Sequence, residues 1–290
     1  MRNIFINKLI QKSKKDPNII LLTSDLGFNA FELYRERFPK RFFNVGVAEN
    51  NMVGVGSGLA LKKKKVFIYS IIPFLIYRCI EQIRNIICHN NLNVKLMGAG
   101  GGFSYGNQGV SHNPTEDLSI LRSLPNLEIF TPGTKIETNL ALDIMMAQNG
   151  PGFMRLGKVP DKEFHPSEPK YKLGNGLVIK DGIDIAILCI GNIVEDVMEA
   201  AYELDILGIN AKIITFITIK PINKEYINEL AQIYKAIFTV EEHNKIGGLG
   251  TAISEILVES DKSNVLFKRI GINGKYQLEI GTQKYLKEIN

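Results

Sequence analysis

An α/β fold of two domains, each a mainly parallel sheet flanked by helices, is what the sequence predicts. Strand-like and helix-like segments alternate along the whole chain, the pattern of βα units. One stretch, residues 157–176 (GKVPDKEFHPSEPKYKLGNG), breaks the alternation with Pro, Lys and Gly. The 290 residues, 45% hydrophobic and 22% charged, hold enough apolar mass for more than one core. The expected partition is a first domain at 1–160, a linker at 161–175 and a second domain at 176–290.

The elements read in order as follows. Residues 18–23 (NIILLT) are a short apolar run, hence a strand, and Ser24-Asp25-Leu26-Gly27 is the loop after it. Residues 42–46 (FFNVG) read as a second strand. Val47, Met52, Val55 and Leu59 then space out a buried helix over 47–61. Val66 to Tyr69 is a strand, followed by a helix through Ile80, Ile83, Ile86 and Ile87. Residues 93–98 and 126–131 are further strands. Asn113-Pro114-Thr115-Glu116 sets an Asx cap, a first-turn proline and an N3 glutamate in order, predicting a helix start there. Thr134-Lys135-Ile136-Glu137 repeats the capping-box pattern. Past the linker, Ile183 to Ile190 is a strand and Gly191-Asn192 a turn. A helix on Val194, Val197, Ala201 and Leu204 ends at Gly208. Ala211 to Ile217 and Ala236 to Val240 are strands, with a glycine-rich turn at 247–250 and a helix at 251–259.

Several function classes drop out on composition. The net charge is +5, and the lysines fall in short clusters (Lys62 to Lys65; Lys12, Lys14 and Lys15) with no basic face interleaved with aromatics, so no nucleic-acid partner is expected. Cys79, Cys88 and Cys189 lack metal-ligand spacing and read as reduced thiols of a cytoplasmic protein. The N-terminal segment is amphipathic through Ile4, Ile6, Leu9 and Ile10 and lacks the marks of a signal peptide. The longest apolar run, Val66 to Tyr77, has twelve residues and is too short to span a bilayer, so no membrane partner is expected.

In open parallel sheets ligands sit beyond the carboxyl ends of strands. Residues 24–29, 46–50, 99–112 and 241–250 meet that condition. The most informative is Gly46-Val47-Ala48-Glu49-Asn50-Asn51-Met52. A carboxylate entering a helix among Gly, Ala, Met and Val is unfavourable unless partnered. It is either a terminal charge favoured by the helix dipole or a functional acid, and both readings stand on these residues alone. Phe74 and Tyr77 are likewise either a core stripe or an aromatic platform.

These segments resemble the last two domains of the transketolase family, the pyrimidine-binding and C-terminal domains, over nearly the whole chain. The resemblance implies thiamine diphosphate as cofactor. Glu49 matches the glutamate that bonds N1′ of the aminopyrimidine. Sharing a proton there drives the 4′-amino group toward its imino form, which takes the proton from thiazolium C2. Phe74 and Tyr77 match two of the aromatic positions around that ring, while Ile71 stands where phenylalanine is common. Ser24-Asp25-Leu26 is similar to the segment whose aspartate lies near the cofactor, which makes Asp25 a cofactor-binding candidate. Ala99 to His112 (AGGGFSYGNQGVSH) resembles the family's histidine loop, with His112 at the position that contacts the reacting oxygens of the substrate. Gln108 replaces an aspartate that reads a substrate hydroxyl, and Gly100 replaces a phosphate-binding histidine. Arg155 matches the arginine that holds the substrate phosphate, and Asn29 is either a substrate contact or a plain turn residue. Glu241-Glu242-His243 and Gly247-Gly248-Leu249-Gly250 match C-terminal-domain landmarks. There His243 reads as structural and the glycines as tight packing at a subunit interface.

The Gly-Asp-Gly segment with which the family holds Mg²⁺ and the diphosphate does not occur, and no metal ligands are assigned within the chain. The resemblance therefore implies a separate N-terminal-type subunit that carries the diphosphate and Mg²⁺, a homodimer contact within an α₂β₂ assembly, and sugar or sugar-phosphate substrates. The implied reaction moves a two-carbon ketol unit from a ketose to an aldehyde. Alternatives are a deoxyxylulose-phosphate-synthase-like enzyme, a 2-oxoacid dehydrogenase beta-type subunit, and a non-catalytic scaffold.

Overall fold

Buried parallel strands read as unbroken apolar runs because both faces of the sheet are covered. The computed structural model, which describes residues 1–290 except 159, 161 and 261–263, follows that rule. Helix α1 (Arg2–Lys15) leads into β1 (Ile19–Thr23), α2 (Glu32–Arg37), β2 (Phe42–Asn44), α3 (Glu49–Leu61), β3 (Lys65–Ile71), the one-turn α4 (Ile80–Gln82) and β4 (Val94–Ala99). Helix α5 (Asp117–Arg122), β5 (Glu128–Phe130), α6 (Lys135–Ala147) and β6 (Gly152–Leu156) complete the first half. Every residue of β1, β4 and β6 is buried. Even Lys95 lies inside, its Nζ donating to the carbonyls of Gln148 and Gly150, and burial lowers its pKa to about 8.

The second half holds β7 (Leu177–Lys180), β8 (Ile185–Ile190), α7 (Val194–Ile206), β9 (Ala211–Thr215), β10 (Thr218–Lys220), α8 (Lys224–Ile233), β11 (Ala236–Asn244), α9 (Leu249–Val258), β12 (Leu266–Ile272) and α10 (Gln283–Glu288). Two sheets result, with strand orders β10-β5-β6-β4-β3-β1-β2 and β12-β11-β8-β9-β7. Both are parallel except at one edge strand each, β10 and β7. The expected two-domain α/β architecture is therefore present.

Three local expectations need correction. The strand expected over 211–217 ends at Thr215, and Thr218–Lys220 crosses to the first sheet as an antiparallel edge against β5. The helix expected through Ile80–Ile87 is only α4, set between two wider π-turns, Pro73–Tyr77 and Ile83–Cys88. Apolar spacing does not separate a winding of 3.6 residues from a slightly wider one. The helix expected at Asn113 begins at Asp117, with no side-chain cap. Glu116 turns back instead to the Thr115 amide and hydroxyl and to the Tyr77 hydroxyl, and the Asn113 amide group is buried with no hydrogen-bond partner among the described residues.

The Thr134 cap does form, its hydroxyl accepting from the Glu137 amide at 3.2 Å. Glu137 returns a bond one residue earlier than a standard capping box, accepting from the Gly133 amide at 2.6 Å. Its other oxygen lies 2.9 Å from His165 Nε2 and 2.5 Å from the Thr215 hydroxyl. One buried carboxylate thus ties α6, the 157–176 segment and β9 together. Glu137→Leu leaves three buried donors without an acceptor. It is expected to lower stability by about 2–4 kcal/mol, read from the midpoint of chemical denaturation; an unchanged midpoint would show that this seam contributes nothing.

Candidate active site

At the carboxyl ends of β1 and β3, two serines face the first turn of α3. Gly46 takes a φ of +75° in the short turn between β2 and α3. Glu49 is the first residue of that helix, and its carboxylate is 3% exposed. The hydroxyls of Ser24 and Ser70 lie 3.2 and 3.5 Å from Oε1, and 3.2 Å from each other. On the other oxygen, Arg78 Nη1 donates at 3.1 Å. The helix dipole and these donors together make a buried carboxylate tenable here.

Arg78 also stacks on Phe74, with its guanidinium carbon 4.4 Å from the ring centroid. The His112 ring meets Phe74 edge-on at 5.0 Å and lies 6.4 Å from the ring of Tyr105. Ser111 Oγ is 2.9 Å from His112 Nδ1. Partial burial holds the imidazole below its usual pKa, so it is neutral near pH 7. Glu49, Arg78, Phe74 and His112 therefore form one continuous line of contacts. Beside them the Cys79 thiol donates a hydrogen bond to Asn50 Oδ1, and burial, aided by the charge of Glu49, pushes that thiol up to about 12.

The other expected residues are placed less directly. Tyr77 packs against the core and donates its hydroxyl to Glu116 at 3.0 Å, and burial raises its pKa well beyond the normal phenol value. Asp25 is exposed, has a φ of 54° and pairs with Asn44 through both its amide and its carboxylate. Asn29, at φ 59°, gives its backbone amide to Glu32, as a turn residue does. Gln108, itself exposed, ends a single turn of 3₁₀ helix, Gly106–Gln108, four residues before His112.

Arg155, the expected phosphate contact, makes several bonds inside the chain. It is buried, with Nε and Nη2 forked on Asp117 at 3.1 and 3.0 Å and its remaining contacts made to the carbonyls of Pro114 and Glu242. A guanidinium so placed joins the two halves of the chain. The glycine turn at 247–250 is likewise filled from within, since the amides of Leu249 and Gly250 both donate to Glu241 at 2.8 Å. That interior carboxylate occupies the anion position at the start of α9. His243 is fully buried, its Nδ1 2.7 Å from the Asn244 carbonyl, and burial pulls its pKa to about 3.

Sequence reasoning missed Ser24, Ser70 and Arg78 around Glu49. Arg78 was detectable: four residues after Phe74, it falls on the same face of a helical turn.

Comparison with known proteins shows the family. Residues 1–159 match the transketolase pyrimidine-binding domain, and residues 174–281 match the transketolase C-terminal domain. The chain belongs to the transketolase family. It is 32% identical over 289 residues to a 6-deoxy-6-sulfo-D-fructose transketolase subunit of Clostridium sp. (strain MSTE9), covering 99% of this chain and 89% of that one. It is 31% identical over 290 residues to an apulose-4-phosphate transketolase subunit of Actinobacillus succinogenes, covering 99% and 93%. Among solved structures, the chain is similar to a split-gene transketolase described as an inactive beta4 tetramer, with a TM-score of 0.89 at 33% identity, over 99% of this chain and 92% of the other. The chain is thus an enzyme subunit of the transketolase type, a transferase, and its family depends on thiamine diphosphate.

Two outcomes follow from the buried charges. Arg155→Ala strands Asp117 in the interior and is expected to cost about 3–5 kcal/mol of stability; loss of substrate affinity with stability intact would assign Arg155 the phosphate role. His243 is neutral when folded and titrates near 6.5 when unfolded. Its contribution is therefore whole above about pH 6.5 and is lost progressively as the pH falls toward 3. His243→Gln is expected to flatten the acid limb of a stability-versus-pH profile, and an unaltered limb would assign the acid sensitivity to other groups.

Proposed function

We propose that this chain supplies the pyrimidine-binding half of a two-subunit transketolase active site. In this reading the enzyme moves a two-carbon ketol unit from a ketose with an anionic end to an aldehyde. The observation that carries the reading is the buried Glu49 carboxylate at the start of α3, in line with the Phe74 ring and the neutral His112.

The donor set fits the aminopyrimidine half of thiamine diphosphate. Glu49 offers a carboxylate shielded from water, able to hold a ring nitrogen and share its proton. Phe74 offers an aromatic face, and Asp25 flanks the loop whose Ser24 touches Glu49. When bound there, the cofactor would supply a nucleophilic carbon, the chemistry that a ketol transfer needs. His112, neutral and half-buried, is suited to bond the hydroxyl oxygens at the reacting carbons and to take or return a proton there. Gln108, exposed on the same loop, would read a hydroxyl of the acceptor.

The partner in this reading is an N-terminal-type transketolase subunit that holds the diphosphate and Mg²⁺, and the assembly is α₂β₂. Support comes from the missing Gly-Asp-Gly segment and from relatives named as transketolase subunits. The names of those relatives specify a sulfonated and a phosphorylated sugar, which supports a substrate with an anionic end.

Glu49→Gln keeps the shape of the side chain and removes the shareable proton. Folding and assembly with the partner are expected to persist while turnover falls by about 10²–10⁴-fold. Wild-type turnover in that variant would sink the mechanism.

A further inference from the structure

Arg78 already makes both contacts that an aminopyrimidine would need in this pocket. It donates to Glu49 Oε2 at 3.1 Å, and its planar guanidinium lies 4.4 Å from the centre of the Phe74 ring. We infer that Arg78 is a placeholder for the cofactor's aminopyrimidine, pairing with Glu49 and Phe74 until the ring displaces it. The inference rests on the function proposed above and adds a step to it.

The chemistry of Glu49 explains why a placeholder would be built. Among the described residues, Arg78 is the one cation within ion-pair distance of this carboxylate, and the serine hydroxyls reach only the other oxygen. A buried carboxylate without a counter-charge is strongly disfavoured. A lysine would give charge but no flat face. A guanidinium gives both, because it is planar, delocalised and weakly hydrated and it stacks on aromatic rings. It therefore fills the hydrogen-bonding position beside Oε2 and offers the flat π surface of the ring it stands in for, although it donates to the carboxylate where the ring nitrogen shares a proton with it.

Position makes the exchange easy. The Glu49 side chain is 3% exposed, whereas that of Arg78 is 52% exposed, so one partner is fixed and the other has a free path to solvent. Arg78 sits in the two-residue break between the π-turn Pro73–Tyr77 and α4, so its side chain can swing away without disturbing a helical hydrogen-bond ladder. A planar ring cannot share Oε2 and the same face of Phe74 with the guanidinium, so the two occupants exclude each other. A ligand gains access only if it replaces both contacts at once. The pocket thereby rejects groups that can stack but not bond, and groups that can bond but not stack.

The test is calorimetric titration of thiamine diphosphate with Mg²⁺ into the assembled two-subunit enzyme, with wild-type chain, Arg78→Met and Arg78→Lys. Removing a half-exposed ion pair and a surface cation–π contact that compete with the ligand corresponds to about tenfold tighter binding for Arg78→Met. Arg78→Lys keeps the charge and loses the flat face, so about threefold tighter binding is expected. It also serves as the readable variant if Arg78→Met fails to assemble. Unchanged or weaker binding in the variants would overturn the placeholder, since a purely structural or cofactor-holding arginine tightens nothing on removal. Absence of binding heat in the wild-type assembly would instead overturn the proposed function itself.

Discussion

The forked ion pair between Arg155 and Asp117 holds the site in register. Arg155 lies on β6, Asp117 starts α5, and the same guanidinium reaches the carbonyls of Pro114 in the first half and Glu242 in the second. The histidine loop runs directly into this knot: His112 precedes Pro114 by two residues, and the Phe103 amide donates to the Glu242 side chain. Burial pushes the Asp117 carboxyl upward in pKa, and the guanidinium pulls it back. Such a pair adds little net stability over an apolar replacement, but loss of either member leaves a buried charge. What it secures is the position of the loop relative to the sheet.

Glu49 is the second constraint, and it works in the opposite sense. Arg155 is buried and paired with an interior carboxylate, whereas the charge of Glu49 is met by a half-exposed residue. Glu49 and the two serines are buried, while the arginine side chain is half exposed. A site built on this plan pre-organises the acid and leaves its counter-charge mobile, and so the carboxylate is never bare.

Much of this was legible in the residues. Alternating apolar runs and capped segments give two sheets, because parallel strands covered on both faces need no polar alternation. Glu49 stood out because a carboxylate among Gly, Ala, Met and Val calls for an explanation. Other features had no local signal. Strand β10 has three residues and no periodicity. The partner of Arg155 is 38 residues away, and nothing in a single sequence joins them. Asn113 has the composition of a cap, yet Arg155 takes the Pro114 carbonyl and Glu116 folds back on Thr115, so tertiary bonds override the local preference.

Strand β10 also bears on how such a chain could have been put together. The first sheet takes its last strand from residues that follow β9 of the second, so the edge of one half is finished by the other. Lys220, on that strand, donates to the carbonyls of Arg122 and Leu124, fixing the splice from the far side. A gene rearrangement that carried the first half elsewhere without this short piece would expose the bare hydrogen-bonding rim of β5, a ready seed for aggregation. The two halves are therefore less portable than their separate cores suggest, and recombination is expected to move them as a unit.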